Sequence, residues 1–275
     1  MLPVEIRISD QGPPAERMAA ALRSRFSMFC RSVAAFLLIV LPIIGNSVNA
    51  AEITVLSANG AKLILTALVP EFERTTNHKL TIAYGEAGIL RKRIQDGEAF
   101  DVTFLPIGWD ELRGKIAGEP IPIGHTDFGM AVRADTPKPD TSSSDALKRT
   151  LLAAKSIVYT DPKTGGISGV LFARLIERLG IADEVDKKSK VVAGVLNASF
   201  VVNGEADLAV QLANEILAVP GAQFVPMPPE FQASVTFSGA IAANAKDPAT
   251  AKSVLQFLTA PAAAPVIRSK GYELG

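Results

Sequence analysis

Cysteine is almost missing from this chain: there is one, Cys30, and it falls inside an N-terminal leader. Past residue 50 there is none, so disulfide frameworks, thiol nucleophiles and thiolate metal centres are excluded from the remainder. Histidine is nearly as scarce, and His78 and His125 are too far apart in sequence to suggest a zinc site. Excess charge is also lacking, since 28 basic side chains balance 28 acidic ones. A nucleic-acid binder needs a basic surplus and a disordered acidic tail the reverse, so neither class fits. No Gly-x-Ser-x-Gly elbow occurs, nor a phosphate loop ending in Gly-Lys-Ser or Gly-Lys-Thr. An internal repeat of roughly 20–50 residues is missing too, which removes solenoids and propellers.

What is present is the material of a globular protein. Hydrophobic residues make up 48% of 275 and charged residues 20%, enough for a full-sized core. Single cores stop growing at about 250 residues, so this length fits two lobes or one large domain.

The leader differs from all that follows. Arg17, Arg23, Arg25 and Arg31 precede an apolar run from Val33 to Leu41, extended past Pro42 by Ile43 and Ile44 and followed by Val48-Asn49-Ala50. A basic segment, an apolar segment of about twelve residues and small residues at the end read as a secretory signal, cleaved after Ala50. The alternative is a retained anchor, but a span needs about 20 apolar residues and Pro42 interrupts this run. Met18 and Met28 stand as alternative starts. Because no cysteine follows Ala50, lipid attachment there is excluded.

Beyond the leader, strands and helices alternate. Glu52 to Leu56 is an apolar, β-branched strand that breaks at Ser57-Ala58-Asn59-Gly60; Leu63, Leu65, Leu68, Val69 and Phe72 then recur at helical spacing up to Thr75-Thr76-Asn77. Leu80 to Tyr84 gives a second strand, Ile89 to Gln95 a helix and Asp101 to Leu105 a third strand. A second region opens near Phe128 to Val132; its clearest strand, Ser156 to Tyr159, runs into Gly165-Gly166-Ile167-Ser168-Gly169 and a helix over Val170 to Leu179. Val191 to Val195, Asp207 to Gln211, Gln223 to Val225 and Val235 to Ala243 read as further strands. Asp247-Pro248 and Pro261 open the last helices. This order predicts an α/β fold with mainly parallel sheets covered by helices.

In open α/β sheets ligands lie beyond the carboxyl ends of the strands, where loops enter helices. Helix N-termini carry unpaired N–H groups and about half a positive charge, so the natural guest is an anion. Three loops have the small, polar composition such a site needs: Ser57 to Gly60, Gly85 to Gly88, and Thr164 to Gly169. Taken singly, each is also an ordinary turn with a helix cap. Their distribution over both halves of the chain points to a cleft. His78 reads as a solvated turn residue, His125 as a strand cap or a cleft neighbour, and Trp109 as a core or lobe-surface aromatic.

Several runs carry a family likeness. Ile53-Thr54-Val55 leads into a small-residue loop; Ile89 to Ile94 is followed by Gly97-Glu98 and Phe100-Asp101-Val102. Asp161-Pro162 precedes a glycine-rich turn, and Lys252 to Gly271 contains Phe257-Leu258 and Pro261-Ala262-Ala263. Through these the chain resembles the molybdate-binding-protein-like branch of periplasmic solute-binding proteins. The resemblance implies a two-lobed type II periplasmic binding fold, each lobe a mixed, mainly parallel sheet flanked by helices. Lobe one would span residues 51–127 and 236–275, lobe two 128–235, joined by a two-strand hinge. It further implies a monomer without cofactor or metal that hands a small anion to an inner-membrane ABC transporter permease.

Molybdate binders of that branch use serine hydroxyls in the first two loops and a tyrosine later. Here those positions fall on Gly60, on Ala87 or Gly88, and near Leu212. Each missing charge-assisted hydrogen bond costs about 1.5–3 kcal/mol, which disfavours a bare tetrahedral oxyanion. Asn59, Gln211 and Asn214 are available instead, and amides suit carboxylates as well as oxyanions. The ligand-binding set read from the sequence is Ser57, Asn59, Gly60, Glu86, Ala87, Gly88, Thr164, Gly166, Ile167, Ser168, Gln211 and Asn214. Leu151 to Ile157 and Glu215 to Gly221 are similar to a divergent branch that includes a periplasmic aconitate isomerase. That likeness implies an organic polycarboxylate guest and, as an alternative function, isomerisation in the same cleft. Glu86, Lys62 and His125 are then the conceivable bases, and no residue is assigned a catalytic role.

Overall fold

A computed structural model describes residues 50–274. The leader read over residues 1–50, with Cys30, lies outside them apart from Ala50. Among the described residues no helix is long and apolar enough to cross a membrane.

The β-branched opening segment forms β1 (Glu52–Ala58), which pairs in parallel with β2 (Lys79–Gly85) on one side and β3 (Val102–Leu105) on the other. The connection from β1 to β2 is α1 (Lys62–Thr76), whose Ile64, Leu65, Leu68 and Phe72 are buried. Their helical spacing is what turns one apolar stripe toward the sheet. Asn77 ends α1 at φ 61°, a left-handed conformation that asparagine tolerates better than other side-chain-bearing residues. Between β2 and β3 runs α2 (Ala87–Gln95), burying Ala87, Leu90 and Ile94.

The second region repeats this arrangement. Here β5 (Ile157–Thr160) pairs in parallel with β6 (Ser189–Val192) and β7 (Leu208–Leu212). The helices are α3 (Ser144–Ala153), α4 (Ile167–Arg178), α5 (Ala182–Asp186), α6 (Ala198–Val202) and α7 (Ala213–Leu217). Strand β8 (Ala222–Pro226) closes the region.

Two strands join the halves, and the sequence signal captured only part of one. The pattern seen near Phe128 to Val132 is the far end of an 18-residue strand, β4 (Ile116–Arg133). Its first part is broken by bulges between Ala117 and Ile121 and between Pro122 and Gly124, which spoils the period-2 alternation a strand shows. Along its length β4 pairs antiparallel with β9 (Ser234–Ala242), β7 and β8 in turn. Strand β9 also pairs antiparallel with β3. The result is one mixed nine-stranded sheet in the order β2-β1-β3-β9-β4-β7-β5-β6, with β8 on β4.

Helices α8 (Pro248–Thr259) and α9 (Ala264–Ser269) complete the chain. The last helix, expected to start at Pro261, begins with a tighter 3-10 turn, Pro261–Ala263. His78, expected in solvent, is 7% exposed: its ring packs beside Phe72, and Nδ1 accepts the Ala51 N–H at 3.2 Å. The turn it occupies is folded under the first residues of β1, and turn composition alone does not reveal that.

Candidate functional site

Three loops leave the carboxyl ends of β1, β2 and β5 and enter helices. A 3-10 turn, Asn59–Ala61, leads from β1 into α1; Glu86 is the N-cap of α2; Gly166 is the N-cap of α4. None of these three helix starts is capped by a side chain. By contrast, Ser143 caps α3 by accepting the Ala146 N–H at 3.2 Å, and Asp247 caps α8 by accepting that of Thr250 at 3.0 Å. Thus a side chain satisfies one of the first N–H groups in these two longer helices remote from the loops, and no side chain does so at the three loop starts.

The three loops face one cavity of about 30 Å³. Its lining takes Ala58, Asn59 and Gly60 from the first loop, Glu86 and Ala87 from the second, and Ile167 and Ser168 from the α4 start. Thr160, Gln211 and Glu215 add polar groups; Pro106, Val195, Leu212 and Phe237 complete the wall. That volume holds about two waters, against roughly 300 Å³ for a typical ligand pocket. The cleft is therefore shut, and a guest of several heavy atoms enters only if its walls part.

Contacts across the cleft account for the closure. The Gly88 N–H, in the first turn of α2, gives its hydrogen to the Gly165 carbonyl at 3.3 Å. A side chain at Gly88 would sit 2.7 Å from the Gly165 Cα and from the Thr164 carbonyl oxygen, so only glycine permits the approach. Glu86 Oε1 accepts from Asn59 Nδ2 and from the Gly194 N–H, both at 3.1 Å. Gly166 leaves room for the other oxygen, since a Cβ there would lie 2.5 Å from Glu86 Oε2.

On the far wall a polar network is buried. Ser168 donates to Thr160 Oγ1 at 3.2 Å, and Asn197 Nδ2 donates to the same atom at 3.1 Å. With both lone pairs engaged, the Thr160 hydroxyl hydrogen is left for the cavity. Gln211 Nε2 donates to the Val195 carbonyl at 3.2 Å, and its Oε1 accepts the Ala198 N–H at 3.4 Å.

Glu215 is the charged group here that sequence reading missed as a site residue; it entered only as part of a resemblance. It lies in the first turn of α7, is 9% exposed and lines the cavity. Burial, and then the charge of Glu86, push its carboxyl up to about 7, while hydrogen bonds from the Leu212 N–H and the Gln211 side chain pull the other way. Nothing in the local sequence separates Glu215 from solvated helix glutamates; its place three residues after the end of β7 is what puts it at the cavity.

Of the twelve residues read from the sequence, Asn59, Gly60, Glu86, Ala87, Ile167, Ser168 and Gln211 line the cavity. Five lie behind it. The Ser57 hydroxyl is fully buried and donates to the Ala58 carbonyl at 3.1 Å. Gly88 and Gly166 supply close approach as described, and the Thr164 hydroxyl closes its own turn on the Asp161 carbonyl at 2.6 Å. Asn214 is buried, its Nδ2 donating to the Gly60 carbonyl at 3.2 Å and to the Tyr272 hydroxyl at 2.8 Å. Among the conceivable bases, exposed Lys62 places its Nζ 5.3 Å from the centre of the Tyr84 ring, and His125 Nε2 stands 3.4 Å from Glu273. Neither lines the cavity; Glu86 does.

Comparison with known proteins agrees with this architecture. The family model described as bacterial extracellular solute-binding protein matches residues 53–273. An aconitate isomerase from Pseudomonas sp is 32% identical over 235 residues, covering 80% of this chain and 86% of that protein. The molybdate-binding protein ModA of Azotobacter vinelandii is 26% identical over 82% of this chain and 91% of its own. Among solved structures, the sulfate-binding protein SubI from Mycobacterium tuberculosis H37Rv superposes with a TM-score of 0.65 at 20% identity, over 81% of this chain and 86% of that one. This chain belongs to the family of bacterial extracellular solute-binding proteins.

Proposed function

We propose that the chain is the periplasmic solute-binding component of an ABC-type importer and that its guest is a small organic carboxylate anion. The observation carrying this reading is the convergence of three helix starts, none capped by a side chain, on one closed cavity. Free N–H groups and helix dipoles directed at one space favour an anion. Gly60, Ala87 and Leu212, where molybdate binders carry hydroxyls, bring none to the lining, which favours a carboxylate over a tetrahedral oxyanion.

In this reading the leader is cleaved after Ala50, and the two lobes, 51–127 with 236–275 and 128–235, turn about β4 and β9 to open and close the cleft. The exported protein acts as a monomer and passes its guest to an inner-membrane permease. A thermal-shift panel of molybdate, tungstate, sulfate, dicarboxylates and tricarboxylates tests the proposal. The right guest at a hundredfold excess over its dissociation constant adds about 2.7 kcal/mol. A flat response to every carboxylate refutes it.

One observation favours a second reading. Glu86 and Glu215 face the same cavity, and a relative 32% identical to this chain is named aconitate isomerase. A carboxylate that takes a proton from an allylic carbon, beside a carboxylic acid that returns one further along, suffices for isomerisation. Incubation with trans-aconitate, followed by proton NMR for the cis isomer, separates the two readings.

A further inference from the structure

The cavity is unbalanced in charge. Of its fourteen lining residues Glu86 and Glu215 are carboxylic, and none is lysine, arginine or histidine. An anionic guest would bring further negative charge into a space holding little water, against two carboxyl groups. Oriented N–H groups offset part of this, and the most accessible relief is a proton on one carboxyl. Glu86 is already engaged as an acceptor by Asn59 and Gly194. Glu215 also accepts hydrogen bonds, from the Leu212 N–H and the Gln211 side chain, but it is the buried carboxyl of the pair while Glu86 is half-buried, so a proton on Glu215 relieves the cavity most.

We propose that the cleft binds its carboxylate guest together with one proton, held on Glu215 and shared with a guest oxygen in a carboxyl–carboxylate hydrogen bond. This rests on the carboxylate reading above and adds how the site tolerates the charge. Other titratable groups do not compete for the role. Strands β7 and β8, which pack on α7, carry none. Strand β4 carries Glu119, Asp127 and Arg133, all exposed, and His125, which faces Glu273. Tyr272, also coupled to Glu215, has its hydroxyl held well above the ordinary tyrosine range by burial and by that carboxylate, so it stays neutral. The upward push on Glu215 already noted makes its proton available near neutral pH.

Calorimetric titration of the exported protein with trans-aconitate, in two buffers of different ionisation enthalpy from about pH 5 to pH 9, reads the proton directly. The expected result is proton uptake on binding, approaching one per guest above neutrality, and affinity that is level at low pH and falls about tenfold per pH unit above about 7. Glu215→Gln should bind with no uptake and a flat profile. Glu86→Gln, which removes the neighbouring charge, should move the fall to lower pH, so a misfolded Glu215 variant does not block the test. Tight binding with no uptake in the unaltered protein, or uptake that persists in Glu215→Gln because the guest itself carries the proton, overturns the inference and leaves the carboxylate reading standing. No binding of trans-aconitate or of any carboxylate in the thermal-shift panel at any pH overturns both.

Discussion

Glu86 Oε1 accepts the backbone N–H of Gly194 at 3.1 Å, joining residues 108 positions apart in the chain. The carboxylate stands at the start of α2, on the first half of the sheet; the amide follows β6, on the second. With the Gly88–Gly165 backbone contact it forms the seam along which the cleft is shut. Of the two donors to Glu86, Asn59 Nδ2 belongs to a residue that also lines the cavity, so the seam and the cavity share one side chain.

Gly88→Ala would drive a methyl group into Gly165 and Thr164. Overpacking of this kind costs about 1–3 kcal/mol, and it acts on the closed form because the clash is across the cleft. Guest affinity should fall about tenfold or more, read by calorimetry, and unchanged affinity would remove the Gly88–Gly165 contact from the closure.

Ser168 is buried against Thr160 at the start of α4, and Ser168→Asp would add a fixed negative charge to a cavity already holding two carboxyl groups. Like charges about 5 Å apart at an effective dielectric near 20 repel by roughly 3 kcal/mol, so affinity should drop on the order of a hundredfold. Unchanged affinity would remove the α4 loop from the site.

The pH dependence of stability has a defined sign. The Glu215 carboxyl is raised from 4.5 to about 7 in the fold, so between those values the folded state holds more proton than the unfolded state. Its contribution is whole below about 4.5 and is lost as pH rises through about 7, a change of about 3 kcal/mol. Urea unfolding of the guest-free protein at a series of pH values should show this decline, and Glu215→Gln should remove it.

Much of the fold was legible because its signals are local. Apolar spacing in α1, the Asp247-Pro248 start of α8 and the β-branched run of β1 each follow from neighbouring residues. The first part of β4 was not, since bulges break its alternation. At the site, loops rich in small residues identified three of the helix starts. Glu215 and Thr160 escaped notice because their value depends on which residues the topology sets across from them. Five of the residues read as ligand-binding lie behind the cavity and support the loops that line it: a serine or glycine in such a loop looks the same in sequence whether its polar groups face the cavity or the chain.

Asp101 illustrates a motif whose reason appears only in three dimensions. Its two oxygens accept the N–H of Thr54 at 2.8 Å and that of Lys246 at 3.0 Å, tying β1 to the segment after β9. Asp101→Ala would orphan both donors and should cost about 2–4 kcal/mol, read by urea unfolding, with guest affinity unchanged in the fraction that folds.

A crystal structure of the exported protein with trans-aconitate would show whether an anion sits where the three helix starts converge. Guest carboxylate oxygens should lie at backbone N–H groups of the α1, α2 and α4 starts, with Glu215 within hydrogen-bond distance of one of them. Guest density in the wider groove bounded by Tyr159, Asp161, Lys163, Glu177 and Asp186, with the closed cleft left empty, would contradict that placement.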